Sequence, residues 1–329
     1  MSDTETLIRD ILAGQRRALA RAITLVESTR PDHRARALAL LDGLRAKGGK
    51  QALRIGLSGT PGVGKSTFTE AFGMMLIGLG LKVAVLAVDP SSARSGGSIL
   101  GDKTRMERLA REANAFIRPS PSQTALGGVA RRTREAVELC ESAGFDVILI
   151  ETVGVGQSET MVADMSDIFV LLLAPAGGDE LQGVKRGIME IADLILINKA
   201  DGELKAAAAR TCADYSGALR LLRKRSQDPD GFPKARTVSA VTGEALGAVW
   251  ADITELADWR RMHGHWDAAR ARQARHWFHE ELRLGLLAKL TADPRLADRV
   301  ARLEAAVERG EVAPAAAAAE ALASLASTQ

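Results

Sequence analysis

The chain has 329 residues, 46% of them hydrophobic and 26% charged, which is the balance of a folded globular protein and excludes a chain disordered throughout. Lys and Arg number 44 against 41 Asp and Glu, a net charge of +3, so no polycation for nucleic acid is present, and aromatics at 4% leave no stacking platform for single strands. The two cysteines, Cys140 and Cys212, exclude a disulfide framework and a Cys-rich zinc site. The first residues show no basic stretch leading into an apolar one, and no apolar run of about 18 residues occurs, so a cytoplasmic protein without a membrane partner is expected. At roughly 150 residues per domain the length suggests two structural units.

Residues 1–47 read as helical. Leu7, Ile11, Leu12, Leu19, Ile23 and Val26 recur at helical spacing, Pro31-Asp32 breaks the pattern, and Leu38, Leu40, Leu41 and Leu44 mark a further helix ending near Gly48-Gly49. From Arg54 short apolar runs alternate with helical patterns. The runs are 54–58 (RIGLS), 82–88 (KVAVLAV), 146–151 (DVILIE), 167–173 (DIFVLLL), 193–198 (DLILIN) and 235–239 (ARTVS). Their length and lack of alternation predict strands buried on both faces of a parallel sheet, hence a doubly wound α/β domain over 51–262. A helical extension, 1–50, precedes it and a helical segment, 263–329, follows. Leu246, Val249, Trp250, Ile253, Leu256 and Trp259 form one apolar stripe; Trp266, Trp277, Phe278, Leu282, Leu286 and Leu290 form another. Such stripes serve either a subunit interface or packing on the α/β core.

Residues 59–67 (GTPGVGKST) match G-x-x-x-x-G-K-[ST] between a predicted strand and a predicted helix, the context that gives this motif its meaning. Gly59, Gly62 and Gly64, with Pro61 and Val63 between them, let backbone N–H groups surround phosphate oxygens, and the helix directs its positive end at the same charge. Lys65 is predicted to reach the β- and γ-phosphates and the Ser66 hydroxyl to ligate Mg²⁺, with Thr67 next to it.

The run DLILIN ends in Asn198-Lys199-Ala200-Asp201, an N-K-x-D pattern. The Asp201 carboxylate can accept from guanine N1–H and N2–H₂, donors that adenine does not offer in that arrangement, so GTP is expected over ATP. Asn198 is expected to brace the loop and the Lys199 stem to cover the base. Ser239, Ala240 and Val241 follow the last predicted strand, where a loop can face guanine O6.

The run DVILIE ends in Glu151-Thr152-Val153-Gly154, the place of the D-x-x-G that senses Mg²⁺ and the γ-phosphate, here with Glu as the acid and Gly154 as a γ-phosphate donor. Val155 stands where a water-positioning Gln is common, so intrinsic hydrolysis is expected to be slow. Asp89, at the carboxyl end of KVAVLAV, is placed for the metal shell or the attacking water. The segment 91–105, rich in Gly, Ser and charge, reads as a switch loop. Asp102 within it acts on metal or water, or caps a helix over 103–113.

Together GTPGVGKST, VDPSS, GGSILGDKTRM, ETVGVGQSE, NKAD and SAVTGEA resemble the MeaB/ArgK family of P-loop GTPases, over most of the chain. The resemblance implies an α/β P-loop NTPase fold, a central, mostly parallel sheet flanked by N- and C-terminal helical extensions, and a homodimer built through the C-terminal arm. It implies a GTPase, slow alone and stimulated by its client, with GTP/GDP and Mg²⁺ as cofactors. The client would be adenosylcobalamin-dependent methylmalonyl-CoA mutase, whose cofactor delivery it gates and which it protects from inactivation. The family's metal and catalytic positions fall on Lys65, Ser66, Asp89, Asp102 and Glu151. A further switch falls on 177–186 (GGDELQGVKR), with Gln182 and Lys185 relaying client binding.

Other functions compete. A nickel-insertion GTPase needs soft or imidazole ligands near the nucleotide; the four histidines His263, His265, His276 and His279 lie far from the switch motifs in sequence. A transport-coupled ATPase conflicts with the N-K-x-D pattern, and a nucleotide-binding module without turnover conflicts with the full set Lys65, Ser66, Asp89 and Glu151.

Overall fold

The computed structural model describes residues 2–88, 106–119, 126–152, 158–175, 186–222 and 224–326. Asp89, Asp102, Gly154, Gln182 and Lys185 lie outside the described residues. In chain order the elements are α1 (Asp3–Leu12), α2 (Arg16–Glu27), α3 (Pro31–Ala46), β1 (Leu53–Gly59), α4 (Lys65–Gly78), β2 (Val83–Val88), α5 (Glu107–Arg111), β3 (Ala115–Arg118), α6 (Leu126–Ser142), β4 (Val147–Thr152), α7 (Ser158–Ala163), β5 (Ile168–Leu173), α8 (Arg186–Ile191), β6 (Leu194–Ile197), α9 (Lys205–Arg220), β7 (Lys234–Thr237), α10 (Leu246–Met262), α11 (His265–Ala292), α12 (Pro294–Glu308) and α13 (Pro314–Ala326). They form two compact units, residues 1–271 and 272–329.

The first unit is built on one sheet. Among the described residues it has seven strands in the order β3-β2-β4-β1-β5-β6-β7, parallel at every pairing. The apolar runs explain it: β1, β2, β4, β5 and β6 are buried along their whole length, with side chains covered on both faces. The chain leaves β1 for β2 and β3, returns to insert β4 beside β1, and then continues through β5, β6 and β7 on the other side. The order therefore reverses around β1, and such a reversal opens a ligand crevice at the carboxyl ends of the strands.

Two local differences from the sequence reading have simple causes. β3 was not among the expected strands, because Ala115–Arg118 is only four residues with Arg at its end, too short to carry a period. The helical pattern across Leu7 to Val26 divides into α1 and α2 at Gly14, whose φ of +73° is left-handed and whose N–H bonds Ile11 O at 2.8 Å. Within the described residues the helix expected over 103–113 spans only Glu107–Arg111.

The amino edge of the sheet is held by a repeated device. Asp146, Asp167 and Asp193 each precede a strand, and each carboxylate accepts a backbone N–H at the start of a neighbouring strand: Lys82, just before β2, at 2.8 Å, Arg54 of β1 at 2.9 Å and Phe169 of β5 at 2.8 Å. Arginines close the outer side. Arg270 pairs with Asp167 and Glu141, while Arg260 pairs with Asp193 and Asp228. α1, α2 and α3 pack on one another and against α6. In the second apolar stripe Trp266 is buried, whereas Phe278, Leu282 and Leu286 are 62%, 51% and 40% exposed. Among the described residues no helix is long and apolar enough to cross a membrane.

Candidate functional site

The loop after β1 has a shape that only glycine permits at two places. At Gly59 a Cβ would lie 2.3 Å from the Leu172 carbonyl oxygen of β5, a backbone atom that cannot swing aside. Gly64 has φ +88°, and its Cβ would lie 2.9 Å from Asn198 Nδ2. Val63 turns into the core, 1% exposed, while Pro61 and Gly62 face outward. Lys65 opens α4, and its Nζ donates to the carbonyls of Gly59 and Thr60. Burial pushes its amine below the ordinary lysine value, against the opposing pull of the Glu151 and Glu159 carboxylates. Ser66 is half-buried and Thr67 exposed on the same first turn, where the helix dipole is positive.

Glu151 stands near the end of β4, in register with Leu57 of β1 and Ala87 of β2. It is thus placed between the strand that feeds the phosphate loop and the strand that leads to Asp89. It is 2% exposed, and its Oε2 accepts from Thr69 Oγ1 at 2.7 Å. Its neighbour Thr152 donates to Ser58 Oγ at 3.3 Å. Thr69 and Glu159 were not singled out from the sequence. The available signals were a Thr beside Phe68 and Phe72 on an otherwise apolar face of α4, and a second acid in ETVGVGQSE. Ser66 hydroxyl and Glu151 carboxylate are hard oxygen donors held beside a cationic loop, the donor chemistry that Mg²⁺ takes.

The turn after β6 joins this loop. Asn198 is 2% exposed; its Nδ2 donates to the Val63 carbonyl at 2.9 Å and its Oδ1 accepts from Ala240 N–H at 3.2 Å. Lys199 adopts φ +59°, a left-handed conformation rare for a residue with a side chain. Ser239 Oγ donates to Asp201 Oδ2 and accepts from Thr242 N–H at 3.1 Å. Val241, 79% exposed, lies at the tip of this last loop. Hydrogen bonds therefore connect 59–67, 198–201 and 239–242 into one cluster at the carboxyl edge, with Glu151 beside it.

A family model described as "Methylmalonyl Co-A mutase-associated GTPase MeaB" matches residues 19–295. The chain belongs to the MeaB family. Among MeaB-family relatives, a putative GTPase of Caulobacter vibrioides is 54% identical, covering 97% of this chain and 97% of its own. The mouse protein named methylmalonic aciduria type A homolog, mitochondrial, is 48% identical, covering 94% of this chain and 76% of its own. A solved structure described as LAO/AO transport system kinase is similar at a TM-score of 0.75 and 38% identity, over 100% of this chain and 99% of that one. The α/β P-loop fold with its parallel sheet agrees with that structure. This chain is a MeaB-family GTPase, and guanine nucleotides are the ligands of the family. Among the described residues no group of three or more His, Cys, Asp or Glu is arranged to hold a metal by itself, and His263 stacks on Trp259 at 3.8 Å between ring centroids.

Proposed function

We propose that this protein is a Mg²⁺-dependent GTPase that binds adenosylcobalamin-dependent methylmalonyl-CoA mutase, gates delivery of its cofactor and protects it from inactivation. The observation that carries the reading is the bonded cluster of phosphate loop, Asn198 turn and Ser239 loop in a chain of the MeaB family. Backbone N–H groups of 59–67 and Lys65 hold the phosphates. Asp201 accepts from guanine N1–H and N2–H₂, with the Ser239 hydroxyl orienting the carboxylate through Oδ2. Ser66, Glu151 and Asp89 would hold the ion, which would supply neutralisation of phosphate charge when bound. Asp89 and Asp102 orient the attacking water, and Gly154 senses the γ-phosphate.

The gating has a two-state logic. A segment ordered by the γ-phosphate changes population when nucleotide changes, and a client that prefers one state must by reciprocity alter nucleotide affinity. We assign Gln182 and Lys185 to that relay. Residues 1–50 are taken as a helical extension, 51–262 as the GTPase domain and 263–329 as the dimerisation arm of a homodimer. Exposed Phe278, Leu282 and Leu286 at successive turns of α11 support the last assignment. The site is expected to work in the cytoplasm, without nucleic acid or membrane partner.

GTP turnover, measured alone and with saturating methylmalonyl-CoA mutase, with ATP as control, tests the reading. A slow basal rate stimulated at least about tenfold, roughly 1.4 kcal/mol of barrier, supports it. Sound GTP binding without stimulation removes the proposed client and keeps the GTPase.

A further inference from the structure

We propose that Thr69 is a positioning residue that fixes Glu151 relative to Ser66 and thereby sets the Mg²⁺ affinity of the site; this rests on the GTPase reading above. Thr69 is fully buried on α4, between Phe68 and Phe72, which are equally buried. A hydroxyl in such surroundings is costly without a partner. Its partner is Glu151 Oε2 at 2.7 Å, a charge-assisted bond on a carboxylate itself 2% exposed.

The chemistry explains why a tether belongs here. Glu carries one more methylene than Asp, so its carboxylate has one more rotatable bond to fix before it can serve as a metal ligand. Thr69 lies three residues after Ser66, on the same side of the same helix. One rigid element thus carries a donor for the ion and also holds the second donor in place. The separation of the two oxygen donors is set by α4 and no longer by the torsions of a free glutamate. Mg²⁺ demands near-ideal octahedral geometry, so a loosened ligand lowers its affinity. The phosphate loop contacts of Lys65 and Asn198 do not pass through Thr69, so nucleotide binding without the ion stays as it is.

The full chain is loaded with a fluorescent GDP analogue, and its release rate is measured in EDTA and across a Mg²⁺ titration. The native protein is compared with Thr69→Val, which keeps the shape and removes the donor, and with Thr69→Ser, which keeps the donor. The expected result is a Mg²⁺ midpoint about tenfold higher for Thr69→Val, the scale of one hydrogen bond to a charged group. Release in EDTA stays within about twofold, and Thr69→Ser returns the midpoint to within about threefold of native. In a Glu151→Ala background, which removes the acceptor of the Thr69 hydroxyl, Thr69→Val adds no further shift. Equal midpoints for native and Thr69→Val overturn the proposal, as does a shift that persists undiminished in the Glu151→Ala background. If Thr69→Val does not fold, Thr69→Ala carries the same comparison. A native protein that binds no guanine nucleotide overturns the GTPase reading itself, a result distinct from a normal Mg²⁺ response in both proteins.

Discussion

Asn198 joins the phosphate loop to the loop after β7 through a single side chain, donating to the Val63 carbonyl at 2.9 Å and accepting from Ala240 N–H at 3.2 Å. Both partner residues are buried, so water does not readily replace either bond. Asn198→Ala leaves a buried acceptor and a buried donor unpaired, at about 1–3 kcal/mol each. The expected loss of folding stability is about 2–4 kcal/mol, with GDP release at least about tenfold faster. Urea unfolding and nucleotide-release kinetics check the two effects; unchanged release would separate the brace from the nucleotide site.

Asp201 differs from Asn198 in being an acceptor only. Asp201→Asn keeps an oxygen for the Ser239 hydroxyl or for a base N1–H, and adds an NH₂ that faces the guanine N2–H₂ donor. GTP affinity is expected to fall by about a hundredfold or more, the scale of an unpaired polar group in a built site. Xanthosine triphosphate, which presents a carbonyl at that position, is expected to gain affinity. Competition binding with the two triphosphates decides it, and a variant that prefers GTP as strongly as the native protein would refute the assignment of Asp201 to the base.

The phosphate loop and the Asn198 turn were legible in the sequence because their chemistry is local: consecutive residues carry the glycines, the cation and the carboxylate. The parallel sheet was legible because four of its strands, β2, β4, β5 and β6, carry unbroken runs of four or more apolar residues. What escaped was either short or distant. β3 has four residues and no period. The Thr69–Glu151 bond joins positions 82 apart, and Arg260 reaches Asp228 and Asp193 from 32 and 67 residues away, so no spacing announces either. The aspartates before β4, β5 and β6 were visible as letters, but their common task at the amino edge appears only when the strands are side by side.

Arg260 is the center of the buried charge cluster at that edge. Its guanidinium donates to Asp228 at 2.7 Å, to Asp193 at 2.6 Å and to the Asp167 carbonyl. Burial alone would push its proton affinity down, but the two carboxylates outweigh this and hold it above the ordinary arginine value. Arg260→Met leaves the buried Asp193 and Asp228 carboxylates to Arg225 alone, which pairs with them at 2.8 and 3.6 Å, and is expected to cost about 3 kcal/mol of folding stability, the low end for a broken buried pair. The cluster sits at the opposite edge of the sheet from the phosphate loop, so GTP affinity of the folded fraction is expected to stay within about threefold. Thermal unfolding and equilibrium binding on the same preparation test both halves.

Asp146 gives a pH signature. Burial pushes its carboxyl up, but the Lys50 ammonium and the Lys82 N–H overcome this and hold it below the ordinary value of 3.8. A carboxyl whose native value lies below its unfolded value stabilises the fold above pH 3.8, and that contribution is lost as pH falls from there through the lowered native value. Asp146→Asn keeps an acceptor for Lys82 N–H and removes the charge. It is expected to cost about 1 kcal/mol at pH 7, discounted for the exposed Lys50 end of the pair, and progressively less in acid. Urea midpoints of native and variant should therefore converge as pH is lowered below 3.8. A deficit that stays constant across the acid range would show that Asp146 acts through packing and its backbone bond, with no contribution from its charge.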